Sequence, residues 1–116
     1  MTMREIMGER SFVVVGDTLN EEKFAAKIKK ALLKNNYEVQ AVGKELASLN
    51  DAVGDIDVID LCIRPDKGLE LIRDCKKPFK AVVIQPGAES EELENYLREN
   101  NIAYVNDCVL AALGED

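Results

Sequence analysis

The strongest hydrophobic pattern in the chain is a continuous apolar run over residues 12–15, which Gly16 ends abruptly. A run of this length without polar interruptions is typical of a strand covered on both faces, as in a parallel sheet. Gly16 allows the backbone to turn tightly or to adopt a positive φ. The pattern therefore predicts a buried strand over 11–16, followed by a tight turn.

The next segment, residues 20–35, has a helical period. Thr18 and Glu21 have the spacing of a capping box, and Asn20 is a competing N-cap, so the helix is predicted to start near 18–21. A pair of asparagines ends the segment, because asparagine tolerates the left-handed conformation. The apolar residues at three- and four-residue spacing, predicted to be buried, are Phe24, Ala25, Ile28, Ala31 and Leu32.

Strand-like and helix-like segments continue to alternate along the rest of the chain. The predicted strands are 37–42, 57–63, 80–85 and 102–105, and the predicted helices are 3–8, 67–76, one capped by Ser90 and ended by Asn100, and a short one from Asn106. A short helical or irregular segment is predicted over 46–53. Such alternation is typical of a parallel sheet with right-handed crossovers. We therefore expect one α/β domain over 1–116, three-layered, with strand order 3-2-1-4-5 and a switch point between strands 1 and 4.

Charge and composition narrow the classes of function. The 116 residues carry 22 acidic and 15 basic side chains, and a net charge of −7 argues against nucleic acid and against an anionic membrane surface. No apolar run is long enough to cross a membrane, and the start lacks the apolar core of a signal peptide. Three cysteines without a Cys-x-x-Cys motif favour a reduced, cytoplasmic protein, and the absence of histidine argues against a zinc site.

The candidate binding site is the carboxyl edge of the predicted sheet. A strand, a glycine turn and a helix N-terminus can present backbone N–H groups to a phosphate, although an ordinary turn without a ligand fits as well. The full dinucleotide fingerprint is absent, because Thr18 and Glu21 stand where it has its second and third glycines. Arg64 ends strand 3, and its guanidinium suits a phosphate, although a neighbouring acid could pair with it instead.

A set of catalytic side chains does not emerge from the sequence. We expect Asp60 to be buried with a backbone partner, and Asp66 and Asp107 to cap helices. Cys62 is predicted to act as a small apolar side chain in its strand. Cys108 is predicted in the first turn of a helix, where a thiol is more acidic. The protein is therefore expected to be non-catalytic.

With these strand ends assembled, the chain resembles the coenzyme A-binding domain family, single-domain bacterial relatives of the nucleotide-binding domain of succinyl-CoA synthetases. The similarity covers roughly residues 6–112. The motifs that carry it are Val13-Val14-Val15-Gly16, Tyr37-Glu38-Val39, Asp57-Val58-Ile59-Asp60 with Arg64-Pro65, Ile84-Gln85-Pro86-Gly87 and Asn106-Asp107-Cys108.

The resemblance implies a Rossmann-like fold and a site for coenzyme A, or less strongly for another adenine nucleotide, on the carboxyl edge. It implies that the cofactor-binding residues are Gly16, Asp17 and Thr18 in the pyrophosphate loop, Lys44 after strand 2, Arg64 after strand 3, and Gln85, Pro86 and Gly87 after strand 4.

Two departures from the family pattern leave alternatives open. The family loop is usually Gly-Ala-Ser, whereas Asp17 here places a carboxylate beside the expected phosphates, and the family's Asn-Pro after strand 2 is missing. The second hypothesis is therefore a member that has lost its ligand and acts through protein contacts, as a homodimer or with a protein partner. The third is a thiol function of Cys108, such as a mixed disulfide with coenzyme A.

Overall fold

A computed structural model describes residues 1–115 of the chain. Five parallel strands form one sheet, and helices pack on both of its faces, which confirms the predicted three-layered α/β fold. The strands are β1 (Ser11–Gly16), β2 (Glu38–Gly43), β3 (Val58–Leu61), β4 (Ala81–Ile84) and β5 (Ala103–Asn106). The helices are α1 (Met3–Met7), α2 (Phe24–Lys34), α3 (Pro65–Asp74), α4 (Glu91–Glu99) and α5 (Val109–Leu113), with a 3₁₀ turn at Leu49–Asp51.

The predicted strand order is wrong in one respect. The sheet runs β2-β1-β3-β4-β5, so β3 lies between β1 and β4 instead of outside β2. On the outer side of β2, a single parallel bridge joins Val42 to Leu46. The switch point of the sheet therefore lies between β1 and β3.

The segment that connects β2 to β3 explains this order. Leu49, Ala52 and Ile56 are buried in the same apolar cluster as Leu69 of α3 and Leu93 of α4, on the face opposite α2. A right-handed crossover on that face must lead back past β1, not outwards from β2. The 3₁₀ turn and its flanking residues thus decide the topology, although no long helix spans this connection.

The start of α2 also differs from the prediction. The helix begins at Phe24, and Lys23 is its N-cap without a side-chain capping bond, so the expected capping box of Thr18 and Glu21 does not form. Residues 17–23 instead make a loop beyond the edge of the sheet. The end of the helix was predicted correctly, because Asn36 adopts a φ of +68° directly after it.

The predicted caps Asp66 and Asp107 are also corrected, whereas that of Ser90 is confirmed. Ser90 caps α4 through the backbone N–H of Leu93, at 3.1 Å, as expected. Asp66 lies inside the first turn of α3, whose N-cap is Arg64, because Pro65 takes the first helical position. Asp107 accepts the N–H of Cys108 at 2.7 Å, and Cys108 itself is the N-cap of α5 rather than a residue of its first turn.

Asp60 is the exception in an otherwise apolar sheet interior. Its side chain is fully buried, and neither carboxyl oxygen has a hydrogen-bond partner, which contradicts the predicted backbone partner. The register places it between Val14 of β1 and Val83 of β4, on the face that α2 and α5 cover. Burial raises the pKa of the Asp60 carboxyl well above its ordinary value.

We predict that Asp60 makes the protein less stable as the pH rises. Its pKa is raised in the folded state, so stability is full below the unfolded pKa, near 3.9, and is lost as the pH climbs from there towards the folded pKa. Within that window the loss approaches about 1.4 kcal/mol per pH unit. Asp60→Asn should remove this decline, measured by urea unfolding from pH 4.5 to 8.

The exposed Asp55 provides the matched control for this experiment. Asp55→Asn should keep the pH dependence of the wild type, because it also replaces one carboxyl by an amide but leaves Asp60 in place. A pH dependence in Asp60→Asn equal to that of the wild type would show that Asp60 does not titrate in this range.

Candidate functional site

Two adjoining cavities lie at the carboxyl edge of the sheet. The larger, of about 770 Å³, lies over the ends of β1, β2 and β3, between the starts of α2 and α3. The smaller, of about 400 Å³, lies over the ends of β3 and β4 and the start of α5. The residues that line both are Phe24, Cys62, Ile63 and Arg64. Together they form one cleft that includes the switch point, where open α/β sheets bind ligands.

A third cavity, of about 460 Å³, lies at the opposite, amino edge. Glu38, Asp55 and Asp57 contribute to its wall, and Asp57 already accepts the backbone N–H groups of Arg10 and Ser11. Those hydrogen bonds, that of Ser11 above all, lower the pKa of Asp57 and keep it charged. The carboxyl edge is therefore a more favourable site for an anionic ligand than the amino edge.

Two glycines allow the strand ends to pack closely below the larger cavity. Gly16 has a φ of +156°, and a Cβ there would lie 2.7 Å from the carbonyl oxygen of Cys62 and 2.9 Å from Cβ of Ala25. Gly43 has a φ of +129°, and its Cβ would lie 2.7 Å from the carbonyl oxygen of Gly16. The floor of the site is thus bare backbone, close to the first turn of α2.

The loop after β1 uses its own side chains for internal hydrogen bonds. Asp17 Oδ1 accepts the backbone N–H groups of Leu19 and Asn20, each at 3.2 Å. Its carboxylate therefore occupies two donors that a phosphate would otherwise find in this loop.

Thr18 points away from the cleft. Its hydroxyl donates to Glu45, which also accepts from Lys29 Nζ at 2.8 Å. These contacts, with that of Lys29 the largest, lower the pKa of Glu45. Thr18 thus ties the loop to the segment after β2, and the structure does not bring it to either cavity.

The wall of the larger cavity is locally cationic in an acidic chain. Its charged residues are the cations Lys23, Lys44, Arg64 and Lys67 and the carboxylates Asp17, Glu70 and Asp74. Four positive charges face three negative ones, against a net charge of −7 for the whole chain. Because charges in the surrounding water are screened over about 8–10 Å, this local balance governs the approach of an anion.

Arg64 lies at the junction of the two cavities. Arg64 is the N-cap of α3, and Pro65, which follows it, holds the Arg64 backbone in an extended conformation. Its Nε lies 3.6 Å from Asp66 Oδ1, with both side chains about three-quarters exposed. An ion pair this exposed contributes little, about 0–1 kcal/mol, so the guanidinium can turn to an anion at small cost.

The smaller cavity is built around Gln85 and the loop that follows it. Gln85 is buried, and its Oε1 accepts the backbone N–H of Val109 at 2.9 Å, which joins the end of β4 to the start of α5. Gly87, with a φ of +95°, donates its N–H to Glu89 Oε1 at 2.9 Å. Cys62 and Cys108 face the same cavity as free thiols.

The thiol of Cys62 is held in its protonated form. Burial raises its pKa most, and Asp60 and Cys108 raise it further. A protonated thiol is a weak nucleophile, so Cys62 contributes to the wall as a small, weakly polar group.

The structure brings seven of the eight predicted binding residues to the cleft. Gly16, Asp17 and Lys44 line the larger cavity, Gln85, Pro86 and Gly87 line the smaller one, Arg64 lines both, and Thr18 is the exception. That these residues bind a ligand stays a prediction.

Sequence reasoning missed two lysines and an aromatic residue at the cleft. Lys23, the N-cap of α2, and Lys67, in the first turn of α3, line the larger cavity, and their position at the start of a helix after a strand was the available signal. Phe24 was predicted to be buried but is 60% exposed. It fits the helical period, yet it lies beyond the end of the sheet, so nothing underneath covers it.

Two classes of feature are absent from residues 1–115. Within this range, no group of three or more potential ligands is arranged to hold a metal ion. None of the helices described is long and apolar enough to span a membrane.

Comparisons with known proteins bear on the family and the fold of the chain. A family model described as a CoA binding domain matches residues 10–114. A conserved hypothetical protein from Pyrococcus furiosus is 30% identical, with 83% of this chain and 91% of that one aligned and a TM-score of 0.77. No curated protein matches.

Two other solved structures show the same fold at lower identity. One, from Thermus thermophilus, is 21% identical over 99% of this chain and 98% of that one, with a TM-score of 0.80. A hypothetical protein from Pyrococcus horikoshii is 24% identical over 96% and 89%, with a TM-score of 0.79.

We predict that Gly16→Ala destabilises the protein by about 3 kcal/mol or more, because a strained φ alone costs about 1–3 kcal/mol and the new methyl group also displaces Cys62 or Ala25. Gly54→Ala is the matched control, since Gly54 has a φ of +74° but open space around it. Urea midpoints measure both. Equal losses in the two variants would show that the close approach below the cleft is not required.

Proposed function

Because the chain belongs to the CoA-binding domain family, we propose that it binds coenzyme A in the cleft at the carboxyl edge of its sheet. The observation that carries the proposal is the larger cavity, which combines the switch point between β1 and β3 with a cluster of cationic side chains. A diphosphate with a phosphorylated ribose carries several negative charges, and such a cluster within an otherwise acidic chain is a selective place for it.

The proposed ligand spans the larger cavity. Its pyrophosphate lies against the loop after Gly16 and the guanidinium of Arg64, which can bind phosphate oxygens in a fork. Its adenosine extends towards the end of β2, where Lys44 neutralises the phosphate on the ribose. The volume of about 770 Å³ is within the usual range of small-molecule sites.

We propose binding without catalysis. The chain has no histidine to transfer protons near neutral pH, and burial raises the pKa of the Cys62 thiol. The three free cysteines fit the reduced, cytoplasmic location that we propose.

A second candidate function rests on Asp17. Its carboxylate satisfies the N–H groups of Leu19 and Asn20, so the loop is complete without a phosphate. In this alternative the chain has lost its ligand and acts through protein contacts, as a homodimer or as a subunit of a complex.

We predict that Arg64→Ala weakens the binding of coenzyme A by about tenfold or more, because a hydrogen bond between charged groups contributes about 1.5–3 kcal/mol. Arg73→Ala is the matched control, since Arg73 lies near the other end of α3, with its guanidinium 5.2 Å from the ring centre of Tyr96. Isothermal titration measures both. Unchanged affinity in Arg64→Ala would contradict the role given to this residue.

We predict that Asp17→Ser strengthens the binding of coenzyme A on the order of tenfold, because it removes a negative charge and frees two backbone donors. Asp55→Ser, at the opposite edge of the sheet, should leave the affinity unchanged. Wild-type binding together with this gain supports the first function. Binding that appears only in Asp17→Ser would support the second function, and no binding in either protein would exclude coenzyme A as the ligand.

A further inference from the structure

The smaller cavity has a different chemical character from the larger one. Its wall is formed mainly by apolar or weakly polar side chains, with Arg64 as its charged member and Gln85 as its polar amide. The amide oxygen of Gln85 is already occupied by the N–H of Val109. Four cations line the larger cavity, whereas a single one lines the smaller. The phosphates are thus drawn to one compartment and an apolar group to the other.

The backbone around the smaller cavity offers few donors to a polar occupant. Pro65 and Pro86 line it and have no N–H. The N–H of Gly87 donates to Glu89, and that of Ala88 donates to the carbonyl oxygen of Gln85 at 2.9 Å. Beyond the guanidinium of Arg64 and the Nε2 group of Gln85, an amide placed here would find few donors to replace its hydrogen bonds to water, which disfavours a polar occupant. A hydrocarbon chain makes no hydrogen bonds to water, so it loses none when it enters the cavity.

The two compartments are continuous at Phe24 and Arg64. Phe24 lines both cavities and is 60% exposed. An apolar group that enters from the larger cavity would cover this ring. Since an apolar surface gains free energy when it is removed from water, Phe24 favours a ligand that has both a charged and an apolar part.

We propose that the smaller cavity binds the acyl chain of a coenzyme A thioester, so that the protein prefers acyl-CoA to free coenzyme A; this rests on the function proposed above. A cavity of about 400 Å³ lies within the usual range of small-molecule sites, so it has room for a short hydrocarbon chain. Because the cavity is open on one side, we expect it to hold an unbranched chain of on the order of six carbons.

The first test is a chain-length series on the full chain by isothermal titration, with coenzyme A and its acetyl, butyryl and hexanoyl thioesters. Each methylene that enters the cavity should strengthen binding by up to about fourfold, the equivalent of about 0.8 kcal/mol. Coenzyme A binding with no gain along the series overturns the acyl site and leaves the proposed function standing. No binding of any member overturns the proposed function.

Two substitutions at Cys108 test the location. Cys108→Leu adds volume inside the smaller cavity and should abolish the gain in affinity with acyl chain length, while free coenzyme A binds within about twofold of the wild type. Cys108→Ser leaves the size of the side chain nearly unchanged and should keep the gain in affinity with acyl chain length. If Cys108→Leu keeps the full gain with chain length, the acyl chain lies elsewhere and the proposal is wrong.

Alkylation of the thiols provides a readout that does not depend on a variant. A maleimide followed by peptide mass spectrometry distinguishes Cys108 from Cys75, which lies at the C-cap of α3 and lines neither cavity. Saturating hexanoyl-CoA should slow the labelling of Cys108 more than saturating coenzyme A does, with Cys75 unchanged. Equal protection by the two ligands would place the pantetheine arm in this cavity and overturn the proposal.

Discussion

The close approach of three strand ends is the constraint on which the site depends. Gly16 lets the backbone of β1 pass within contact distance of Cys62 and of Ala25 in α2, and Gly43 packs in turn against Gly16. Any side chain at these positions would separate the strands or lift the helix from the sheet. Because the backbone is bare here, the first turns of α2 and α3 border one cavity, and their cationic residues meet over the switch point.

Charge is distributed so that the cleft differs from the rest of the surface. An acidic chain repels anions at long range, yet screening limits that effect to about 8–10 Å, and within this distance the larger cavity presents more cations than carboxylates. Asp17 is the main opposing group, and it is directed to its own loop. Affinity for a phosphorylated ligand is therefore a balance between Arg64 with its neighbouring lysines and the three carboxylates of the cavity wall.

The same edge of the sheet also separates polar from apolar chemistry. β1 and β2 end in glycines below charged side chains, whereas the segments after β3, β4 and β5 contribute two cysteines, two prolines and a buried glutamine whose Oε1 is already hydrogen-bonded. Asp60, buried nearby without a partner, is tolerated with a raised pKa as a neutral acid. The division suits a ligand whose parts differ in polarity, and it joins the binding proposal to the acyl inference.

Much of this protein could be predicted from its sequence because the signals are local. Continuous apolar runs specify buried parallel strands, helical periods specify the covering helices, and glycine, proline and asparagine mark their ends; these gave the fold class and brought seven of eight candidate residues to the right edge. The remainder depended on contacts between distant segments. The strand order was decided by the face of the sheet that Leu49, Ala52 and Ile56 cover. Phe24 is exposed at the cleft because it lies beyond the end of the sheet. Thr18 donates a hydrogen bond to Glu45, far along the chain, and therefore lies outside the site. Asp60 has no hydrogen-bond partner among the residues that surround it. A local pattern determines which face of an element is apolar, but only packing in three dimensions determines what that face meets.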